Sequence, residues 1–308
     1  MVMKTVNSKM LFLAAVIGLA FFGLQSCSKK SSGSSGPTPP VLIGGFASSD
    51  SVEPQALISY WPMDGNLNDV KGAATATGVN VTYVTGVRGQ AYQGDTNAYA
   101  SFTPTAAMTG LQSFSLSYWY FQPAQPDTAP YTPQGMFFLA DQGGANPLII
   151  AEEQPYTPLS GDSVLLHAGL DFPAAKNYHG FTMTTFDTAA IGKWVFFTMT
   201  YNGGTSTYTV YQDAVAMLNE SAYPTSTSTI LLDGPTGSTP QGNMNFASDP
   251  PVEGTIGTWA PGVYGVDATL GSNHLSNWQG KLDEIRLFNI ALSQTDVAGL
   301  YLNGLAGR

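Results

Sequence analysis

From Ala56 onward, short runs of alternating apolar and polar residues are separated by clusters of Gly, Pro, Asn and Asp. That spacing predicts antiparallel β-structure folded into a sandwich. In Phe114-Ser115-Leu116-Ser117-Tyr118-Trp119-Tyr120 a period of two puts Phe114, Leu116, Tyr118 and Tyr120 on one face. Ser115, Ser117 and Trp119 fall on the other, as in a half-buried strand. The β-rich runs Trp194 to Tyr201 and Thr207 to Tyr211 flank Asn202-Gly203-Gly204 and read as a hairpin. Leu282 to Phe288 alternates again. Ser293-Gln294-Thr295-Asp296 then has the form of a helix N-cap with an acid three residues on, so a short helix through Val297, Leu300 and Tyr301 should close the chain. With no internal repeat and no second linker, the expected class is all-β. The expectation is one domain over 56–308, two antiparallel sheets and a short C-terminal helix.

The N-terminal pattern is different in kind. Lys4 and Lys9 precede an apolar run from Met10 to Leu24, after which the chain turns small and polar. As a helix the run would reach only about 22 Å, short of the roughly 30 Å hydrocarbon core, so it reads as the apolar region of a signal peptide. Leu24-Gln25-Ser26-Cys27 resembles the lipobox of bacterial lipoproteins, in which the cysteine is acylated and the chain is cut before it. Gln25 departs from the smaller residue usual there. Cys27 is the only cysteine; a plain secretory signal beside a stray cysteine is the bland alternative. The expectation is a signal peptide over 1–26 and a lipidated Cys27. A Ser/Gly/Pro tether follows to residue 55, flexible and extended by composition. This implies an outer-membrane lipoprotein of the cell envelope, bound to the membrane through the anchor only. In lipoproteins of the Bacteroidetes type, acids after the cysteine accompany surface display. Lys29 and Lys30 stand there instead, and the membrane face stays open.

Charge narrows the partners. Only 10 % of residues are Asp, Glu, Lys or Arg, against roughly 25 % in ordinary soluble domains. Eleven basic against 21 acidic side chains give −10, without the cationic surface that a phosphate backbone requires, so nucleic acid is excluded as a partner. Cutting off residues 1–26 removes two lysines and no acids, which leaves 9 − 21 = −12. Strongly acidic polysaccharides should be repelled unless calcium bridges them.

Several segments together resemble a known family. Tyr60-Trp61-Pro62-Met63-Asp64-Gly65-Asn66-Leu67-Asn68-Asp69, Gly86-Val87-Arg88-Gly89-Gln90-Ala91-Tyr92, the Phe114 to Tyr120 strand with its Trp119, Gly192-Lys193-Trp194 and Thr255-Ile256-Gly257 occur in order. Gly280-Lys281-Leu282-Asp283-Glu284-Ile285-Arg286-Leu287-Phe288-Asn289 with Ala291-Leu292-Ser293 completes the set. In that order and spacing they are similar to laminin-G-like, concanavalin A-like jelly-roll domains, from residue 57 to 301. The usual strand ending Val-Asn-Gly is replaced by Tyr211-Gln212-Asp213-Ala214. Stretches of about 122–190 and 218–254 exceed a minimal domain and read as long loops, where binding residues tend to sit.

Lectins, glycosidases and adhesion modules share this fold, so function has to come from sites. A glycosidase needs two carboxylates facing one cleft. The Glu-x-Asp-x-x-Glu strand that laminarinase-type members of the fold resemble each other in is missing. The adjacent acids Glu152-Glu153 and Asp283-Glu284 would point to opposite faces of strands. His167, His179 and His274 lack metal-site spacing, and His167 in its apolar run reads as structural. No catalytic residue is expected, and no enzyme activity.

A calcium ion takes six to eight oxygen ligands. The family resemblance would place one at the rim, on Asp64 and Asp69 of the Asp64–Asp69 loop with Asp283; equally, Asp64 and Asp69 simply close turns. Sugars stack on exposed aromatics beside polar groups. Trp61, Trp119, Trp194 and Trp278 read as core. Trp259 and Tyr264 sit in a loop pattern and become the expected ligand contacts, with Asn273 and His274 as polar neighbours. The preferred function is a non-catalytic module binding polysaccharide or another glycan. The alternative is an adhesion or structural module with a protein partner, and a weaker one is a glycoside hydrolase.

Overall fold

The computed structural model describes residues 41–123, 133–142, 148–153, 164–172, 177–185, 190–219, 226–233, 239–259 and 276–308. Val41–Arg308 is one compact unit. Residues 41–55, expected in the tether, belong to it. Phe46 packs on the C-terminal helix and Ser49–Ser51 forms a 3-10 turn.

The strands are β1 (Leu57–Trp61), β2 (Thr77–Val79), β3 (Thr82–Thr85), β4 (Gln90–Gln93), β5 (Tyr99–Phe102), β6 (Phe114–Phe121), β7 (Gln134–Ala140), β8 (Ile149–Glu153) and β9 (Val164–Phe172). They continue with β10 (Asn177–Thr185), β11 (Trp194–Asn202), β12 (Thr207–Gln212), β13 (Val215–Ala216), β14 (Thr229–Ile230), β15 (Glu253–Ile256), β16 (Ser276–Asn277) and β17 (Lys281–Phe288). Two helices are described, the single turn α1 (Ala106–Thr109) and the closing α2 (Gln294–Leu305).

The first sheet runs β13-β12-β11-β6-β17-β4-β3, with β1 beside β17 and β14 beside β12. The second runs β10-β9-β8-β7-β15-β5-β2. All pairs of named strands are antiparallel except β16, which adds to β7 in parallel. The all-β, two-sheet expectation with a short C-terminal helix stands. The 122–190 stretch, expected as a long loop, instead carries β7 to β10. Met136 to Ala140 of β7 are all fully buried, so both faces of the strand are covered and its sequence is a continuous apolar run without alternation.

The main core lies between the sheets. Phe114, Leu116, Tyr118 and Tyr120 of β6 point into it with Trp61 and Trp278. Trp119 faces the opposite way, into a second cluster under α2, where it stacks on Tyr301 at 5.6 Å and meets Phe196 at 5.1 Å. Trp194 is half-buried, edge-on to Phe121 at 5.8 Å. The helix begins as its sequence requires: Ser293 Oγ accepts from the Asp296 N–H, and the Asp296 carboxylate accepts from the Ser293 N–H at 2.9 Å. Val297 and Leu300 are buried beneath it.

Candidate functional site

The expected calcium ligands separate into two places. Asp69, nearly buried, accepts four backbone N–H groups. Tyr60 (2.9 Å), Lys71 (3.1 Å) and Gly72 (2.7 Å) reach Oδ1, and Ala74 (3.1 Å) reaches Oδ2. It thereby ties the loop after β1 to that strand. Asp64 and Asp283 instead converge on the turn before β4. Asp64 Oδ1 accepts from the Gln90 N–H at 2.7 Å, and Asp283 Oδ2 accepts from Val87 and Arg88 at 2.7 and 3.2 Å. The turn has no room for side chains. A Cβ on Gly89, whose φ is +68°, would lie 2.0 Å from Asp64 Oδ1, and one on Gly86 would lie 2.4 Å from Asp283 Oδ2.

Asp283 is fully buried. Burial, reinforced by the charge of Glu284, pushes its carboxyl up to about 8, although three backbone N–H groups pull the other way. Its Oδ1 is buried without a hydrogen-bond partner. Among the described residues no three His, Cys, Asp or Glu side chains come together to hold an ion.

Asp283 and Glu284 do not point to opposite faces. The β17–β6 register shifts between Asp283 and Arg286, and Glu284 has φ +54°. This bulge turns both carboxylates toward the outer side of the first sheet, while Leu282 and Ile285 stay in the core. There Glu284 belongs to a buried ionic lattice. Arg286 Nη2 lies 2.7 Å from Glu284 and 2.9 Å from Asp50, and its guanidinium sits 4.0 Å over the Tyr60 ring. Tyr60 donates its O–H to Glu284 at 2.7 Å, and Arg88 holds both Asp50 oxygens. Burial raises the Asp50 carboxyl, but the two guanidiniums outweigh it and leave it below its ordinary value. With α2 and residues 43–52 packed here, the outer face of the first sheet is closed.

The second sheet offers a different chemistry on its outer face. Leu166, Ala168 and Leu170 of β9, Ile149 and Ala151 of β8, and Ile256 of β15 fill the core. The alternate positions, His167, Asp171, Glu152, Glu253 and Thr255, therefore face outward. Glu152 and His167 are opposite each other across β8 and β9, with Nδ1 3.0 Å from Oε1. Their side chains are 1 % and 11 % exposed, so the pair is largely covered. Asp171 is raised by burial and by the charge of Asp249, partly offset by the Phe172 N–H. On the inner side, opposite Leu170, His179 is held down by burial against a hydrogen bond to Gln241 and sits edge-on to Phe172 at 5.7 Å.

Trp259, an expected ligand contact, lies on this outer face with its ring 4.7 Å from Phe138. Its approach depends on Gly135, where a Cβ would meet the Trp259 backbone nitrogen at 2.7 Å. Toward the β2 edge, a hollow of about 410 Å³ is lined by the hydroxyls of Thr75, Thr77, Ser101 and Thr103 together with Glu253. Tyr264, Asn273 and His274 lie outside the described residues. Sequence reasoning missed the Glu152–His167 pair and the hydroxyl row. The alternation of Leu166, Ala168 and Leu170 with His167 and Asp171 was the available signal for the first.

No family model and no curated protein sequence matches the chain. Among solved structures, it is similar to domain 4 of AbnA, a GH43 extracellular arabinanase from Geobacillus stearothermophilus, in complex with arabinotriose. The likeness covers 80 % of this chain and 98 % of that one, at 17 % identity and a TM-score of 0.50. It is also similar to the binding domain of botulinum neurotoxin serotype C1, over 80 % of this chain and 52 % of that one, at 11 % identity and a TM-score of 0.51. A structure describing type C toxin cell entry through two ganglioside molecules matches over 80 % and 51 %, at 10 % identity and a TM-score of 0.51. This chain thus spans about half the length of the toxin chains it matches. The fold is a jelly-roll β-sandwich. In this jelly roll the helix-covered sheet carries the ionic lattice, and the second sheet carries the hydroxyls, Trp259 and the Glu152–His167 pair.

Proposed function

We propose that the chain is a lipid-anchored, non-catalytic carbohydrate-binding module of the bacterial cell envelope, held in the outer membrane through Cys27. The observation that carries this reading is the outer face of the second sheet, where Trp259 packs at a tilt on Phe138 and a hollow is lined by four hydroxyl side chains with Glu253. An aromatic ring and, on the same face, a hollow of hydroxyls with one carboxylate suit a sugar ring, apolar on its faces and hydroxylated at its edge. The arabinanase domain was solved with arabinotriose, and type C toxin entry is described as depending on gangliosides. Both lend the reading support at the level of ligand class.

The chemistry of this face is binding. His167 Nδ1 and Glu152 Oε1 engage each other at 3.0 Å, and the covered pair links β8 to β9. A structural calcium on Asp64 and Asp283 belongs to the same proposal. Asp283 Oδ1, buried without a partner, is an oxygen that a cation would satisfy. Asp69 has no part in this, since its oxygens are already taken by backbone N–H groups.

Retention of the purified protein on neutral and acidic polysaccharide columns, with calcium and with chelator, tests the reading. Selective retention that Trp259→Ala weakens tenfold or more is the expected result, without release of reducing sugar. Retention on no polysaccharide refutes it and favours a protein-binding adhesin. Release of reducing sugar refutes the non-catalytic part.

A further inference from the structure

We infer that the jelly roll carries a second saccharide site, at the rim where the β5–β6 connection, the β11–β12 turn and the loop at 239–247 meet. It deepens the carbohydrate-binding reading and rests on it, but it shares no residue with the outer face of the second sheet. The site is a pocket of about 490 Å³, within the range of small-molecule sites. Its floor is apolar, made by Leu111, Met244 and Phe246, each at most 2 % exposed. Its walls carry Thr109 and the carboxamides of Gln112, Asn243 and Asn245.

No charged side chain is among the described lining residues. A phosphate, a carboxylate or a metal ion would find no counter-charge there. Carboxamides present donors and acceptors together, and sugar hydroxyls need both at each position. A neutral carboxamide rim over a closed apolar floor therefore selects a neutral, hydroxyl-rich ligand such as a sugar, held through its hydroxyls at the walls.

The pocket is built, not incidental to a loose loop. Met244 N–H donates to Gln112 O at 3.0 Å, Gly242 N–H to Ser206 Oγ at 2.7 Å, and Gly203 N–H to Ser113 Oγ at 2.9 Å. Tyr201 O–H closes the set by donating to Gly242 O. The three segments meet so closely that a Cβ on Gly203 would lie 2.4 Å from Gln112 O and 2.6 Å from Asn243 Oδ1. Asn243 Nδ2 points at Gln112 Oε1 from 3.5 Å, at the limit of a hydrogen bond, and both side chains are solvent-exposed. They are free to turn onto a ligand at little cost.

The test is titration calorimetry on the full chain with neutral oligosaccharides of arabinose, xylose, glucose and mannose. Wild type is compared with Gln112→Ala/Asn243→Ala, with Ala247→Trp, which fills the pocket from its exposed rim, and with Trp259→Ala. The expected result is two sugars bound per chain, falling to one in both rim variants at unchanged melting temperature, with rim binding kept in Trp259→Ala. Should Gln112→Ala/Asn243→Ala melt early, Ala247→Trp alone decides. Wild-type stoichiometry and affinity in the rim variants would overturn the second site and leave the carbohydrate-binding reading standing. No binding by wild type would overturn both.

Discussion

Replacing Arg286 by Met removes the centre of the lattice on the outer face of the first sheet. Its guanidinium, 3 % exposed, holds Glu284 at 2.7 Å and Asp50 at 2.9 Å. Met matches the length of the stem but leaves the Glu284 carboxylate, also 3 % exposed, buried with only the longer 3.6 Å contact to Arg88 Nη1 and the Tyr60 hydroxyl to compensate it. Breaking such a pair from one side typically costs about 3–5 kcal/mol. Loss of the contact over the Tyr60 ring, 4.0 Å away, adds to this by up to ~2 kcal/mol where the ring is desolvated. Asp50 contributes little to the loss, because its side chain is 45 % exposed and rehydrates. At roughly 2–4 °C per kcal/mol for a domain of this size, the 3–5 kcal/mol alone lowers Tm by about 6–20 °C. Urea unfolding followed by tryptophan fluorescence measures it directly. The pair Glu284→Gln/Arg286→Met should recover much of the loss, since the penalty is a buried charge that Arg88 at 3.6 Å compensates only in part, and not a missing attraction. A single-variant loss under about 1 kcal/mol, or a double variant no more stable than the single, would refute this reasoning.

Three further outcomes are expected. Asp283 has a folded value near 8 against 3.8 for the free group, so its contribution is fully present below pH 3.8 and is lost as pH rises through 8. Urea unfolding between pH 5 and 9 should show that decline in wild type and a flatter profile in Asp283→Asn. Calcium at pH 8 should restore the wild type alone, and equal restoration of Asp283→Asn would place the ion elsewhere. Gly89→Ala, forced to hold φ +68° with its methyl on the Asp64 carboxylate, should lose about 1–3 kcal/mol in the same assay. Cys27→Ala should abolish incorporation of labelled palmitate and leave the protein out of the membrane fraction; labelled Cys27→Ala would dismiss the lipidation site.

What the chain reveals by itself depends on whether one strand or several must be known. The two faces of β6 are legible because only one alternation is involved, and Phe114, Leu116, Tyr118 and Tyr120 separate from Trp119 as that alternation requires. The Ser293–Asp296 cap is equally local. β7 hides because cover on both faces erases the period of two. The shared face of Asp283 and Glu284 hides because a bulge in β17 changes the period at that point, and nothing in Leu282-Asp283-Glu284-Ile285 announces a positive φ. Asp69 was legible as a turn former, but its four N–H partners span residues 60 to 74 and require the folded loop. The Glu152–His167 pair depends on the register between β8 and β9, and the rim pocket on three segments far apart in the chain. Residues 41–55 looked like tether because their Gly and Ser content is high, yet Phe46 and Asp50 find partners near the far end of the chain.

That docking brings the two ends of the domain together. Arg308 Nη1 donates to Val41 O at 3.0 Å, Asn303 Nδ2 to Ile43 O at 2.9 Å, and Ser49 Oγ to Arg308 O at 2.6 Å. A unit whose first and last segments touch is almost a ring, and the point at which the backbone enters it is topologically nearly arbitrary. A few Gly and Ser residues linking Arg308 to Val41 would close that ring, and new ends could be opened at an exposed turn such as Asn80, between β2 and β3. In such a permutant both sheets and the helix over the first of them would persist. A surface or partner fused near Val41 or Arg308, by contrast, attaches on the helix side of the sandwich, away from the second sheet's outer face.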